Sequence, residues 1–561
     1  MKESEKSLEP VSSPDLAFES ALDDDADELA HLGYKQEFKR EWSFWSTFSF
    51  ALSMSGLIGS IGITYSYPIV AGGPAAAVWC WFAGMIGCLC IAYSVAELIS
   101  CFPTSGGMYY TLAHLVPKKY VPIACWVDGW LYLLGCITST ASGDFGCAQI
   151  IMATASMASD FKFVPTRAQT TGCAIAVMIS HALFNSLPSG TQSKITKWYC
   201  VINLGTTVAA IIHLLVACPK INTASYTFTH VEANTGWSAT GWSFLFGFLN
   251  VSWVMTSYDG TARISEETKQ AAYLVPLAIA SALTVTALAG WVVVIVFTLV
   301  AGTDMNALID SPSGMPIVQV FYNAVGKRAA TAYLSLMIVI IWFGGCVGVC
   351  ALSRTYWSFA RDRGLPFAKF WTKLDKRTGV PVRTVWLITI TNILLSLINI
   401  GSTVAMEAVF SVCAIATDWS YVVCIAAYLV NADRFQIPRG PFNFGRFSKF
   451  INLYAIIWTI FVSIVFVFPN YMPVDKENMN YTVVMVGFAF FGAGGWWVLG
   501  ARKFYKGPVS NVDEIEGVVI ADNREKIRGE GDFHHRRRHS SSKKHPDAQV
   551  EDGLFQGTTN N

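Results

Sequence analysis

Long apolar stretches alternate with short polar connections over most of the chain, from about residue 44 to residue 501. A hydrocarbon layer about 30 Å thick takes roughly 20 apolar residues per helix. Twelve segments meet that length: 44–71, 75–100, 122–157, 169–187, 195–217, 241–262, 274–300, 330–358, 381–400, 404–430, 449–469 and 481–501. The pattern predicts an all-α membrane protein with twelve transmembrane helices. Its core is expected at 43–502, between polar tails at 1–42 and 503–561 and without a cleavable signal peptide.

Two segments carry polar punctuation in mid-span. The first contains "SMSGLIGSIG" at 53–62, which places Gly56, Gly59 and Gly62 three residues apart. Small residues at this spacing let neighbouring membrane helices approach closely. They also suit a helix break, tolerated in a membrane where the freed N–H and C=O groups face a cavity. The sixth segment carries Ser257-Tyr258-Asp259-Gly260 inside an apolar run. Matching interruptions in two halves of a chain point to the binding site of a repeat-built transporter, which favours the break. A repeat of five spans is odd, so its two copies are inverted in the membrane, and the last two spans lie outside it.

Composition agrees: 53% of residues are hydrophobic and 14% charged, against about 25% charged in a typical soluble domain. Lys and Arg gather in the connections after even-numbered spans, as in Lys118-Lys119, 361–383 and 434–449, which predicts both termini in the cytoplasm. The net charge of +1 averages an acidic run at 23–28 with a basic, Ser-containing tail at 534–545, and no nucleic-acid partner is expected. That tail either rests on the inner leaflet, with Ser540–Ser542 as a phosphorylation switch, or is simply solvated. The 14 cysteines fall mainly inside spans and read as small buried residues, neither disulfides nor metal ligands. No phosphate-binding Gly-x-x-x-x-Gly-Lys loop, zinc-protease motif or nucleophile constellation is present, so the sequence argues against an ATP-driven pump or an enzyme, and no cofactor is expected.

Asp144, Asp259 and Asp418 lie away from the predicted helix ends, while Glu97 and Asp128 sit nearer the cytoplasmic side. No Lys or Arg is expected at comparable depth. An ionised Asp at the bilayer centre costs about 2.5–3.5 kcal/mol on insertion scales. The three are therefore candidates for proton coupling or for binding a cationic substrate, the alternative being a vestibule-facing or helix-capping role. His181 and His213 are expected in hydrogen bonds within the bundle, with a proton relay as the alternative. Trp253, Tyr258, Trp342, Phe343 and Trp419 could offer ring faces to an ammonium group or serve as core, with Trp253 and Tyr258 favoured by position.

"AELISCFPTSGGMYY" at 96–110, "SYDG…SEETK" at 257–269, "SRTYWSFARDRGLP" at 353–366 and "GVPVRTVW" at 379–386 resemble motifs of the amino acid–polyamine–organocation permeases, in order and spacing over about residues 30–505. "LGYKQEFKREWS" at 32–43 and "AGGPAAAVWCW" at 71–81 resemble the fungal amino acid/choline transporter subgroup, which includes permeases for γ-aminobutyrate, choline and polyamines. The resemblance implies a LeuT-like five-plus-five inverted repeat with discontinuous first and sixth helices, plus two extra C-terminal helices. It places the substrate at the two breaks, with Ser55, Gly56, Gly59 and Ser60 on the carboxylate side, where helix N–H groups are free. Trp253, Thr256, Ser257 and Tyr258 form the amine side. Glu266, Glu267 and Arg354 become a cytoplasmic gate by the same resemblance, or else plain juxtamembrane charge. Lys2 and Lys6 become ubiquitin acceptors for the endocytic machinery.

The function expected is a secondary active transporter, a proton symporter importing a small amine or amino acid such as γ-aminobutyrate or choline. An exporter or exchanger of a pathway metabolite, or a non-transporting nutrient sensor on the same scaffold, is the alternative. The plasma membrane is the expected location, the vacuolar membrane the second. A glycosylation sequon at Asn480 lies beside the twelfth span.

Overall fold

The computed structural model describes Leu29, Leu32, Phe38 and residues 40–508 apart from Ser402, Pro438 and 476–478, without the side chains of 403–405 and 407. Lys2, Lys6 and the 534–545 tail lie outside the described residues. Helices account for the described architecture, and the single extended pairing among these residues is a bridge between Trp42 and Thr268.

Helix α1 (Phe44–Ser55) ends at Gly56, and α2 (Leu57–Thr64) begins directly after it. Gly56 adopts a left-handed conformation, φ 59° and ψ 12°, which a residue without a Cβ reaches at little steric cost. Its N–H closes α1 on the carbonyls of Leu52 and Ser53, and its own carbonyl accepts the N–H of Gly59. α2 runs on into α3 (Ser66–Cys101), which bends at Gly72-Gly73 just before Pro74, where the sequence divides the first two predicted spans.

There follow α4 (Val121–Ala158), α5 (Arg167–Asn185), α6 (Tyr199–Ala217) and the short α7 (Phe248–Val254). After α7 the chain leaves helical geometry at Met255–Ser257 and continues as a ten-residue 3-10 segment, Tyr258–Glu267. Runs of that length are uncommon because 3-10 hydrogen bonds are poorly aligned. Here every residue of the run is buried, so tertiary contacts hold it. The chain then forms α8 (Ala271–Val300), α9 (Pro316–Arg361), α10 (Val382–Ser396), α11 (Thr403–Phe435), α12 (Ser448–Val467) and α13 (Thr482–Trp496).

Ten helices among the described residues are long and apolar enough to cross a membrane. Two of the twelve predicted spans are not among them. α5 carries Gln169, Thr170, Thr171, Ser180, His181 and Asn185, which lower its mean hydropathy, and the sixth span is divided into pieces too short to count.

Packing is reciprocal between two sets of helices. α3 packs on α8, α4 on α9 and α5 on α10. The contact of α6 with α9 has its counterpart in α11 with α4, and α1 with α8 in α7 with α3. α13 lies at the periphery, with Phe488 and Phe491 82% and 84% exposed, a surface suited to hydrocarbon rather than water.

Candidate functional site

The two interrupted helices pack on each other: α7 lies against α2, and the 3-10 segment lies against α1. At the second break Ser257 has φ 58° and ψ 11°, the same left-handed turn as Gly56. For a residue with a Cβ that turn costs about 1–2 kcal/mol. Ser257 is held there by a hydrogen bond from its Oγ to Ser139 Oγ (3.1 Å) and by its carbonyl, which accepts the N–H of Gly260 at 3.0 Å. Trp253 Nε1 donates to Ser142 Oγ at 3.1 Å, so one face of α4 carries both contacts. Ser55 Oγ and Tyr258 OH are buried without a hydrogen-bond partner among the described residues, an arrangement that polar groups in a packed core rarely show.

The glycines of the first break divide by role. A Cβ on Gly56 would meet Ser60 Oγ, so Ser60 folds over the turn. Gly59 and Gly62 instead admit α9: added Cβ atoms would lie 2.6 Å from Ile341 Cγ1 and from Met337 Cε. Gly56 thus makes the break, while Gly59, assigned to the carboxylate side from sequence, is a packing position. On the amine side, Thr256 and Tyr258 face Asp418 of α11. Beside the breaks, the Trp253 ring lies tilted against Phe410 at 5.3 Å, and Phe410 lies 6.5 Å from Tyr67. Beyond these rings opens a cavity bordered by Tyr67, Phe145, Gln149, Pro316, Phe410 and Tyr471.

The opposite end, where the connections are rich in Lys and Arg, is closed by a buried charged layer. Arg354 Nε donates to Glu267 Oε1 at 3.0 Å, with both side chains essentially inaccessible. Glu266 pairs with Arg361 (3.6 Å) and accepts the N–H of Ser105 (3.1 Å). Trp42 N–H donates to the Glu267 carbonyl at 3.0 Å, and Arg40 Nη1 donates to the Thr268 carbonyl at 2.6 Å, tying the segment before α1 to the end of the 3-10 segment. Deeper, Arg263 pairs with Asp259 at 3.1 Å, lies 4.2 Å over the Tyr132 ring and donates to the carbonyls of Ser105 and Gly106. Tyr421 donates its hydroxyl to Asp259. Gly107, at φ 57°, makes room: a Cβ there would lie 2.3 Å from Arg263 Nη1.

The expectation that the deep acids lack basic partners is therefore corrected. Arg263, one residue past the expected end of the sixth span at 262, is fully buried because the 3-10 segment stays inside the bundle through Glu267. Asp144 also has a partner, His181 Nδ1 at 2.9 Å. Only Asp418, of the three, has no ion-pair partner among the described residues. His213 meets the Tyr333 hydroxyl at 3.2 Å, Phe343 stacks on Tyr199, Trp342 lies beside His181, and Trp419 donates to Ser463. The Asn480 amide caps the end of α12 through the carbonyls of Phe466 and Phe468. Sequence reasoning missed Arg263, Arg361, Tyr421 and Ser105, although Ser105, Arg263 and Arg361 lie within motifs it singled out.

Two broken helices crossing at a polar centre, shut at one end by buried ion pairs and with a cavity beyond the aromatic rings at the other, are features of a membrane permease. Residues 43–490 match the family model for amino acid permease. The chain is 48% identical over 509 residues to an uncharacterised amino-acid permease of Schizosaccharomyces pombe, covering 91% of this chain and 94% of that one. It is 38% identical over 484 residues to amino-acid permease 2 of Neurospora crassa, covering 86% and 89%. Identity to amino-acid permease BAT1 of Arabidopsis thaliana is 31% over 520 residues, covering 89% and 99%. The chain belongs to the amino acid permease family, within the amino acid–polyamine–organocation superfamily, and is an integral, multi-pass membrane protein of a family of permeases rather than enzymes.

Proposed function

We propose that the protein is a secondary active transporter that imports a small amino acid, of the α-amino or γ-aminobutyrate kind, by proton symport across the plasma membrane. The observation that carries this reading is the matched left-handed turn at Gly56 and Ser257, which interrupts two crossing helices at one depth of contact. The N-terminus of α2 presents free N–H groups and a partial positive charge to a carboxylate. Asp418, with Thr256, Tyr258 and the Trp253 ring, presents a carboxyl group, hydroxyls and a π-face to an ammonium. A ligand carrying both groups satisfies both sides. Choline, which lacks a carboxylate, leaves the α2 terminus unused, and the relatives named amino-acid permeases favour the same choice.

In this reading α5 and the interrupted sixth segment complete twelve spans, and the reciprocal contacts of α1–α6 with α7–α11 support an inverted repeat of five. The basic end faces the cytoplasm. With the Glu267–Arg354 and Glu266–Arg361 pairs made, the cytoplasmic end is closed while the outer cavity lies on the far side of the Trp253, Phe410 and Tyr67 rings, and separation of those pairs opens the cytoplasmic route. The test is radiolabelled uptake in permease-deficient fungal cells, comparing γ-aminobutyrate, common amino acids, choline and putrescine with and without a protonophore. Saturable uptake of an amino acid, abolished by the protonophore, is expected. Uptake of choline alone would overturn the carboxylate assignment. No uptake of any, with the protein at the surface, would favour an exporter or a sensor.

A further inference from the structure

We propose that the buried pair Asp144–His181 is the proton-binding site of the transporter, and that the Gly344-Gly345 step of α9 connects it to the substrate break. The proposal rests on the proton-symport reading and names the residues that bear it. α4 has two polar faces. Ser139 and Ser142 bond to Ser257 and Trp253 at the break, whereas Thr140 and Asp144, one turn apart, point away from it, Thr140 to Asn392 of α10 and Asp144 to α5 and α9. The pair therefore stands one helix behind the substrate, with both side chains 1% exposed.

Among the described residues no other counter-charge pairs with it. The titratable neighbours are the thiols of Cys147 on α4 and Cys346 on α9. On α5, Asn185 donates to the carbonyls of His181 and Cys346, and where α10 meets α5 and α9 the contact of Val385, Ala182 and Val349 is apolar. His181 Nδ1 lies 2.9 Å from Asp144 Oδ1, while both ring nitrogens and both carboxylate oxygens lack a hydrogen-bond partner among the described residues, so the pair has room for one exchangeable proton. Adding that proton makes an imidazolium–carboxylate pair of zero net charge. Releasing it leaves a neutral imidazole beside a lone buried carboxylate, which is costly at this depth. The other two deep acids are committed elsewhere: Asp259 to Arg263 and Tyr421, Asp418 to the amine side of the site.

The connection to the break is short. A Cβ on Gly345 would lie 2.3 Å from His181 Cε1 and 2.8 Å from Asp144 Oδ1, so only glycine admits the pair there. A Cβ on the preceding Gly344 would lie 3.0 Å from the carbonyl of Ser53, the carbonyl that accepts the N–H of Gly56 at 3.1 Å. Two adjacent residues of α9 thus touch the proton pair and the hydrogen bond that closes the break. Gly344, Gly345, Gly348 and Gly143 are half-buried in mid-bundle, and a Cβ on Gly143 would meet nothing within 4 Å, so this zone has room to move.

Two measurements on the full chain test the proposal. Trp342 lies 5.3 Å from the His181 ring, so the fluorescence difference between wild type and Trp342→Phe should report proton binding at the pair, a response that Asp144→Asn and His181→Gln remove. A response unchanged by both substitutions would overturn the assignment. In vesicles, with radiolabelled γ-aminobutyrate and a labelled mixture of common amino acids as probes, wild type should accumulate label under an inside-alkaline gradient. The two variants should keep counterflow at equal pH within about twofold and lose about tenfold or more of the gradient-driven accumulation. Wild type without gradient dependence would sink the symport reading itself. A driven wild type together with fully driven variants would sink only the Asp144–His181 assignment. If Asp144→Asn fails to fold, His181→Gln carries both measurements.

Discussion

Arg263 lies four residues after Asp259 and holds its carboxylate at 3.1 Å, with both side chains fully buried. Removing one member of such a pair strands the other and costs about 3–5 kcal/mol, whereas removing both charges is often close to neutral. Asp259→Asn and Arg263→Gln should each lower the melting temperature of the purified protein, and the double variant should recover most of the loss. Additive losses in the double variant would show that the two act independently.

Gly56 and Gly59 should respond differently to the same change. Gly56→Ala introduces a left-handed residue costing about 1–2 kcal/mol and crowds Ser60, at the break itself. It should weaken substrate binding more than it weakens the fold. Gly59→Ala presses on Ile341 between α2 and α9 and should lower stability with little effect on affinity in the protein that folds. Binding isotherms beside melting curves decide it, and unchanged affinity in Gly56→Ala would reduce that turn to a packing feature.

Asp418 is the deep acid with no ion-pair partner among the described residues, facing Thr256 and Tyr258. A hydrogen bond to a charged group contributes about 1.5–3 kcal/mol. Asp418→Asn should therefore raise the KM for a substrate amine by about tenfold to a hundredfold. Equal KM in the two proteins would take the ammonium away from this residue.

Glu267 and Arg354 close the basic end, and Cys350, 3% exposed, lies behind Arg354. Loss of a buried charge pair shifts such an equilibrium by about 2 kcal/mol or more. In Glu267→Gln, a membrane-impermeant thiol reagent added on that side of inverted vesicles should label Cys350 about tenfold faster or more, judged against Cys350→Ser. Unchanged labelling would mean that the pair does not hold this end shut.

The apolar runs by themselves determined the helical, membrane-borne character of the chain, the division at Gly72-Gly73-Pro74, and the two interruptions, because span length and backbone breaks are properties of local sequence. Motif residues pointed to Glu267 and Arg354, which the structure brings to 3.0 Å. Local sequence could not tell the glycine that breaks a helix from those that admit a neighbour, since Gly56 and Gly59 are told apart by the left-handed turn at the first and by the side chain of α9 opposite the second. Nor could it give the depth of Arg263, which follows from a 3-10 segment kept inside the bundle by residues distant in the chain, Ser105, Tyr132 and Tyr421. The pairing of Asp144 with His181 belongs with these: two residues on separate helices share a site only because α9 offers a glycine where they meet, and that vacancy exists only in the packed bundle.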